Sequence, residues 1–275
     1  MEKLPLSIGI LGWNSINSSL PNTLFSYFRN NLFDISDDII IFFQEINEKD
    51  IKLAEYFDLK YTGDKENIGI AKAFQKIVEN AKYENILILE HDWYLQENFE
   101  TIHKRLKSSI NMLDKGYDCI KLRSMFKTGF PDFAHIRYSE NPLEYYDPEI
   151  QQAHPHLLDT CHIFENIHTY FPDKISQVFD GDCMYYTSTS RYGNYTNNPC
   201  MYKTKFYKDV LEKFQNELES SEKYHGLESL LGKWWPTQSF KIAHSEGLFT
   251  HFDIVKYAPY WETINHFVRE KNIMR

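Results

Sequence analysis

Four apolar residues, Ile86-Leu-Ile-Leu89, run directly into Glu90-His91-Asp92. The apolar run predicts a buried strand. Successive strand residues point to opposite faces, so Glu90 and Asp92 point the same way and His91 the other way. Two carboxylates on one side of a strand end suit a hard divalent cation, Mg2+ or Mn2+, which prefers oxygen ligands. Such an ion can bridge a diphosphate leaving group and take up its developing charge. Without the ion, the same tripeptide is a solvated turn with incidental acids, and His91 is a packing or supporting histidine.

A second group of residues could hold the rest of such a ligand. Asn67-Ile-Gly69 opens a helix, where backbone N–H groups can receive an anion or a base carbonyl and glycine permits close approach. Lys72, one turn into that helix, can reach a phosphate or a base; as an ordinary lysine it is simply solvated. Asn14 and Glu45 follow the first two strands and could contact a nucleoside. Asp180 and Asp182, in Phe179-Asp-Gly-Asp182, form another acidic pair, but Asp-Gly-Asp is ordinary turn chemistry.

The elements that must position these groups alternate. Leu6-Ser-Ile-Gly-Ile-Leu-Gly12 reads as a first strand, with Leu24, Phe25, Phe28 and Leu32 at helical spacing after it. Ile39-Ile-Ile-Phe-Phe43 is a second strand, residues 49–57 a short helix, and residues 59–61 a third strand. Ile70, Phe74, Ile77, Val78 and Ala81 form one helical stripe. Phe99, Ile102, Leu106, Ile110 and Leu113 form another, which stops at Lys115-Gly116. Residues 118–122 are a fifth strand. This order predicts an α/β fold with a mostly parallel central sheet flanked by helices, and ligands beyond the C-terminal strand ends. Residues 126–195 lose periodicity and read as an irregular insert. A strand at Cys200-Met-Tyr202, a helix carrying Tyr207, Val210, Leu211, Phe214 and Leu218, and a helix over residues 227–235 follow. Residues 240–257 read as short strands and loop. Trp234 shares a stripe with Leu227, Leu230 and Leu231, which favours core packing; Trp261 could stack on a sugar.

Composition narrows the function classes. A chain of 275 residues with 42% hydrophobic residues suits one domain, residues 1–275. The net charge of −9 argues against a nucleic-acid partner, which needs a concentrated basic surface. Cys119, Cys161, Cys183 and Cys200 form no C-x-x-C pair, so neither a disulfide framework nor a structural zinc site is expected. His154, His156, His162 and His168 fit no zinc spacing either. No charged-then-apolar leader opens the sequence and no window approaches the roughly 18 apolar residues of a membrane span. The expectation is a soluble cytoplasmic protein, with peripheral contact at a membrane surface if its substrate is lipid-linked.

The run Ile86-Leu-Ile-Leu-Glu-His-Asp-Trp93 resembles the DxD segment of GT-A glycosyltransferases. Asn67-Ile-Gly-Ile-Ala-Lys-Ala73 resembles the Asn-x-Gly helix start that precedes it in family-2-like members. Asn197-Asn-Pro-Cys-Met-Tyr202 resembles the strand entry after the insert, and Gly247-Leu-Phe-Thr-His251 the C-terminal segment whose histidine completes the metal site. These segments occur in the family's order and span about residues 6–255.

The resemblance implies a single GT-A-like domain, with residues 1–125 binding the nucleotide sugar and residues 126–275 the acceptor. It implies Asp92 as a direct ligand of Mn2+ or Mg2+, His251 as a third ligand or diphosphate contact, and Glu90 near the ribose or a metal-bound water. The departure is glutamate in place of the first aspartate. Glu228, in Tyr224-His-Gly-Leu-Glu-Ser229, resembles the acid that closes the acceptor pocket of inverting members, where it would serve as general base. Its other reading is an acid placed in a first helical turn for the helix dipole. The expected activity is transfer of a sugar from a nucleotide-diphosphate donor, UDP favoured, to a hydroxyl of a glycan or protein acceptor. The alternatives are a non-catalytic carbohydrate- or partner-binding protein that keeps the fold, and a sugar-nucleotide pyrophosphorylase. The latter normally needs a basic glycine-rich loop after the first strand, and Gly12-Trp-Asn-Ser-Ile-Asn-Ser-Ser19 has no lysine or arginine.

Overall fold

The computed structural model describes residues 2–13, 19–127, 156–162, 166–214 and 227–251. Asn14, His154 and Trp261, named above, lie outside them, as do residues 252–257 of the expected C-terminal strands.

The first half follows the expected alternation. Strand β1 (Ser7–Trp13) is followed by α1 (Leu20–Arg29), β2 (Asp38–Gln44), α2 (Glu48–Tyr56), β3 (Lys60–Gly63), α3 (Ile70–Glu79) and β4 (Asn85–Glu90). A three-residue strand, β5 (Trp93–Leu95), precedes α4 (Phe99–Asp114) and β6 (Cys119–Arg123). Local chemistry sets these bounds. Asn47 and Asp50 form a reciprocal capping box on α2, and the Asn98 side chain accepts the Thr101 amide at the start of α4. Gly116, with φ 88°, supplies the left-handed residue after α4.

β1 pairs in parallel with β2 and β4, and β2 with β3. Alternate side chains of these strands feed two cores. Ile8, Ile10, Ile41, Phe43, Leu87 and Leu89 pack under α1, α2 and α4. Leu11, Phe42, Ile86 and Ile88 pack under α3 and the helices Thr204–Lys213 and Leu227–Trp234. Both faces of the sheet are covered, which explains why β1, β2 and β4 are apolar runs without alternation. Gly9 is required by closeness: a Cβ there would stand 2.1 Å from Ile77 Cγ2 of α3.

The second half weaves into the first. The sheet order is β3-β2-β1-β4-β9-β6-β10-β8-β7, with β5 also on β10. β9 (Cys200–Lys203) lies between β4 and β6, antiparallel to both. β10 (Lys241–His251) runs parallel to β6 and antiparallel to β8 (Cys183–Thr189) and β5. The strands mostly share one direction, with β5, β8 and β9 opposed. Three expectations are corrected here. Within the supposedly irregular residues 126–195, β7 (Ser176–Asp180) and β8 form an antiparallel hairpin whose turn is the Asp-Gly-Asp segment. Asp180 there accepts from Lys115 Nζ at 2.6 Å and Asn111 Nδ2 at 3.0 Å, and Asp182 from Lys104 Nζ at 3.0 Å, so the pair ties a hairpin to α4. The C-terminal segment is one eleven-residue strand, not several short ones. β5 was not expected at all.

β10 is long because it bends. Its register shifts between His244 and Phe249, and Gly247 sits in the bulge at φ 81°. A Cβ on Gly247 would stand 2.1 Å from Arg123 O. Ser245 Oγ donates to Lys121 O at 3.1 Å and accepts the Gly247 amide at 3.0 Å, while Arg105 Nη1 donates to Gly247 O at 2.7 Å. The first half of β10 therefore pairs with β8 and its last three residues pair with β5.

Candidate active site

The turn after β4 is pinned from α1: Ser19 Oγ and Thr23 Oγ1 donate to His91 O at 3.0 and 2.7 Å. Tyr27 Oη donates to Trp93 O at 2.7 Å. β5 then pairs with the end of β10, opposing Trp93 to His251. This places Asp92 and His251 together, with Nε2–H of His251 donating to Asp92 Oδ2 at 3.1 Å. Trp93 closes the pair from one side, its ring edge to face with His251 at 5.1 Å, and the Arg123 guanidinium lies 5.3 Å from the Trp93 ring centroid. His91 turns away, its ring 6.3 Å from that of Trp13, and burial lowers its pKa.

The electrostatics are those of crowded acids. Glu90 is held well above the ordinary carboxyl range, first by burial and then by the Asp92 and Glu228 carboxylates. Burial would raise Asp92 too, but the His251 hydrogen bond and the neighbouring His91 bring it below its usual value. Asp92 Oδ1 and His251 Nδ1 are buried and meet no hydrogen-bond partner among the described residues. Buried polar atoms ordinarily find partners. A carboxylate oxygen and an imidazole nitrogen left open, beside two more carboxylates, fit a divalent cation of the Mn2+ or Mg2+ type.

Glu90 and His251 open into a cavity of ≈560 Å3 that also holds Glu228, Lys121, Arg123, Asp159, Asn194 and His244. Glu228 stands in the first turn of the helix Leu227–Trp234, and its Oε1 accepts the Asn197 amide at 2.7 Å. Lys121, on β6, is buried and donates to Asp159 Oδ1 at 2.8 Å. Burial alone would raise Asp159, yet Lys121 and His156 hold it well below the usual carboxylate range. His244 is pushed down to about 3 by burial and by His162.

Of the residues expected to meet the nucleotide, Glu45, Asn67, Gly69 and Lys72 are described. Glu45, at the C-terminal end of β2 with φ 53°, accepts Trp13 Nε1–H at 3.0 Å. Trp13 itself is 42% exposed, a flat ring at the mouth of the strand ends. Just before α3 two backbone amides are already engaged. Asn67 Oδ1 accepts the Gly69 amide at 2.9 Å and Gln44 Oε1 accepts the Ile68 amide at 2.9 Å. Asn67 and Gly69 (φ 82°) thus shape the turn, with Gln44 holding it to β2. Lys72 is half-buried on α3 and does not border the cavity. Trp234 packs against Phe214 and Phe240, as its stripe predicted. Sequence reasoning missed Trp13, Lys121, Arg123 and His244. Lys121 sits inside a strand that read as part of the sheet and Arg123 just after it, where a charge in a buried strand was the available signal; His244 fell in a segment that read as short strands and loop.

No protein-family model matches the sequence, and no curated protein matches it significantly. Solved structures do resemble the fold. TarS residues 1–349 from S. aureus in complex with UDP matches with TM-score 0.53 and 14% identity, covering 90% of this chain and 60% of that one. Glucosyl-3-phosphoglycerate synthase from Mycobacterium tuberculosis, in complex with Mn2+, UDP-glucose and phosphoglyceric acid, matches with TM-score 0.42 and 10% identity over 90% of this chain and 71% of that one. The chain thus spans less than two thirds of the TarS chain, and its architecture is the GT-A fold. Among the described residues no helix is long and apolar enough to cross a membrane.

Proposed function

We propose that this chain is a metal-dependent glycosyltransferase of hexosyltransferase type. It moves a sugar from a nucleotide-diphosphate donor, a UDP-sugar first, to a hydroxyl of a glycan or protein acceptor. The observation that carries the reading is the Asp92–His251 pair, each with one buried atom left open, whose His251 lines the cavity that holds Glu90 and Glu228. The GT-A fold, shared with a UDP-bound structure, supports it as analogy.

Asp92 and His251 would hold Mn2+ or Mg2+, which when bound supplies positive charge to a departing diphosphate. Glu90, held above the ordinary carboxyl range by burial and by the Asp92 and Glu228 carboxylates, would contact a ribose or a metal-bound water. Trp13, steadied by Glu45, would offer its face to the base, and Lys72, in the first turn of α3, would reach a phosphate or the base. Glu228 lies on the acceptor side; one oxygen is fixed by the Asn197 amide and the other is left to take the acceptor proton if the anomeric centre inverts. Arg123 lends the cavity positive charge, while Lys121 is already paired with Asp159.

The test is nucleotide release from UDP-, GDP-, CMP- and dTDP-sugars with Mn2+, with Mg2+ and with chelator, on the wild type and Asp92→Ala. Release from one donor that needs metal and vanishes in Asp92→Ala supports the transferase. No release, together with no metal-dependent thermal shift by any nucleotide, rejects it in favour of a binding protein that keeps the fold.

A further inference from the structure

Away from Asp92, the structure gathers one more set of metal-ligating side chains. Cys161 and His162 end the 3-10 helix Leu157–His162, and His244 stands on β10. One donor atom from each lies within 4.8 Å of the other two. The His162 and His244 rings meet edge to face, with centroids 5.2 Å apart at 77°. We propose that Cys161, His162 and His244 form a second metal site, one that takes Zn2+ and is separate from the Asp92–His251 pair.

The donor set selects the ion. A thiolate and two imidazoles are borderline-soft ligands that suit zinc and are poor partners for Mg2+ or Mn2+. The geometry is close to what zinc requires. Tetrahedral bonds of about 2.0–2.1 Å to nitrogen and about 2.3 Å to sulfur place ligand atoms about 3.3–3.8 Å apart. Drawing the three donors together takes a movement of about 1 Å. Cys161 and His162 are half-buried at the end of a short helix, where side-chain rotation can supply it.

His244 is the fixed member. It is 1% exposed, and its Nδ1 must be the protonated nitrogen because it meets Ser245 O at 2.8 Å. That leaves the Nε2 lone pair for a ligand. A backbone carbonyl on the far nitrogen is the support that metal-binding histidines ordinarily have. Ser245 is in turn tied to Lys121 O on β6, so the tautomer is set by the sheet itself.

Charge and access agree with this assignment. Asp159 and Lys121 border the same space as an ion pair; on binding, the Cys161 thiol gives its proton to solvent and the resulting thiolate offsets part of the ion's charge. His162 and His244 both line the cavity described above. Three ligands leave one tetrahedral position for water or an incoming oxygen, the pattern of catalytic zinc sites. Sequence spacing could not reveal the site, because the nearby histidines fit no zinc spacing and His244 joins Cys161-His162 only through the sheet.

The experiment uses the whole chain. Wild type, Asp92→Ala, Cys161→Ala and Cys161→Ser are equilibrated with ZnCl2, dialysed against metal-free buffer and assayed for zinc, with far-ultraviolet circular dichroism to confirm folding. CoCl2 replaces ZnCl2 in a parallel series followed by absorption. The expected result is about one zinc per chain in wild type and Asp92→Ala. Cobalt should give intense visible bands and a near-ultraviolet thiolate charge-transfer band. Folded Cys161→Ala and Cys161→Ser should lose that band and bind zinc about 100-fold or more weakly, beyond the 10–100-fold cost of losing a mere supporting contact. Zinc retained equally by wild type and folded Cys161→Ala overturns the site. So does wild type that retains none, cobalt without a thiolate band, or loss of all bound zinc in Asp92→Ala.

Discussion

The imidazole of His251 lies 3.1 Å from the carboxylate of Asp92, although the two are 159 positions apart. Two short structures make the contact: β5, which turns back immediately after Asp92, and the bent end of β10. Each side chain keeps one buried atom open after the contact is made.

Asp92→Ala and His251→Ala should each lower kcat/KM for the donor by about 10³-fold, the several kcal/mol that a metal supplies to a leaving diphosphate. Titration of the Mn2+ requirement checks this. A mutant that keeps wild-type metal dependence would show that its residue is not a ligand.

Glu228→Gln separates the two roles of that residue. The amide oxygen can still accept the Asn197 N–H, so the melting temperature should stay within a few degrees. If the carboxylate is the base, kcat falls about 10²–10⁴-fold with little change in KM. A kcat close to wild type would assign Glu228 to binding the acceptor or capping its helix.

Gly247→Ala should be among the most damaging single-methyl additions. The new Cβ meets a strand backbone at 2.1 Å, not a side chain that can swing aside, and the φ of 81° is unfavourable for alanine. A loss of about 2–4 kcal/mol, read from urea unfolding, follows from strain and overpacking together.

The Asp37–Lys82–Tyr83 cluster gives a pH dependence of known sign. Hydrogen bonds from Lys82 and Tyr83 hold Asp37 at about 2, below the value near 4 of an unfolded aspartate. Between those values the unfolded chain binds more protons, so this contribution is complete above about pH 4 and lost as pH falls toward 2. Asp37→Asn should flatten that part of the melting-temperature profile. The group is exposed and screened, so the change should be small and smaller still in high salt.

The legible parts of the molecule were those with local causes. β4 is an uninterrupted apolar run and its acids follow at once, so Glu90 and Asp92 could be placed from residues alone. α3 announced itself through Phe74, Ile77 and Val78 on one stripe. β10 hid because His244, Ser245, Glu246 and Gly247 break any alternation; those residues are in the strand because of the bulge, a tertiary feature. β7 and β8 hid behind their turn, which was recognised as a turn but not as the centre of a hairpin. Asn67 and Gly69 carried the expected helix-start pattern, yet their local hydrogen bonds could be assigned only once Gln44 was seen beside them.

β9 also decides what cannot be separated. It comes from the second half of the chain, yet it fills the gap between β4 and β6 and pairs with both. A fragment ending after β6 would carry two unsatisfied strand edges in the middle of its sheet, where no loop or charge shields them, and such edges recruit other chains. The seam between the expected donor and acceptor halves is therefore not a place to cut. A chimera that exchanges acceptor specificity must carry its own β9 or keep this one, and heat should melt the sheet as one cooperative body.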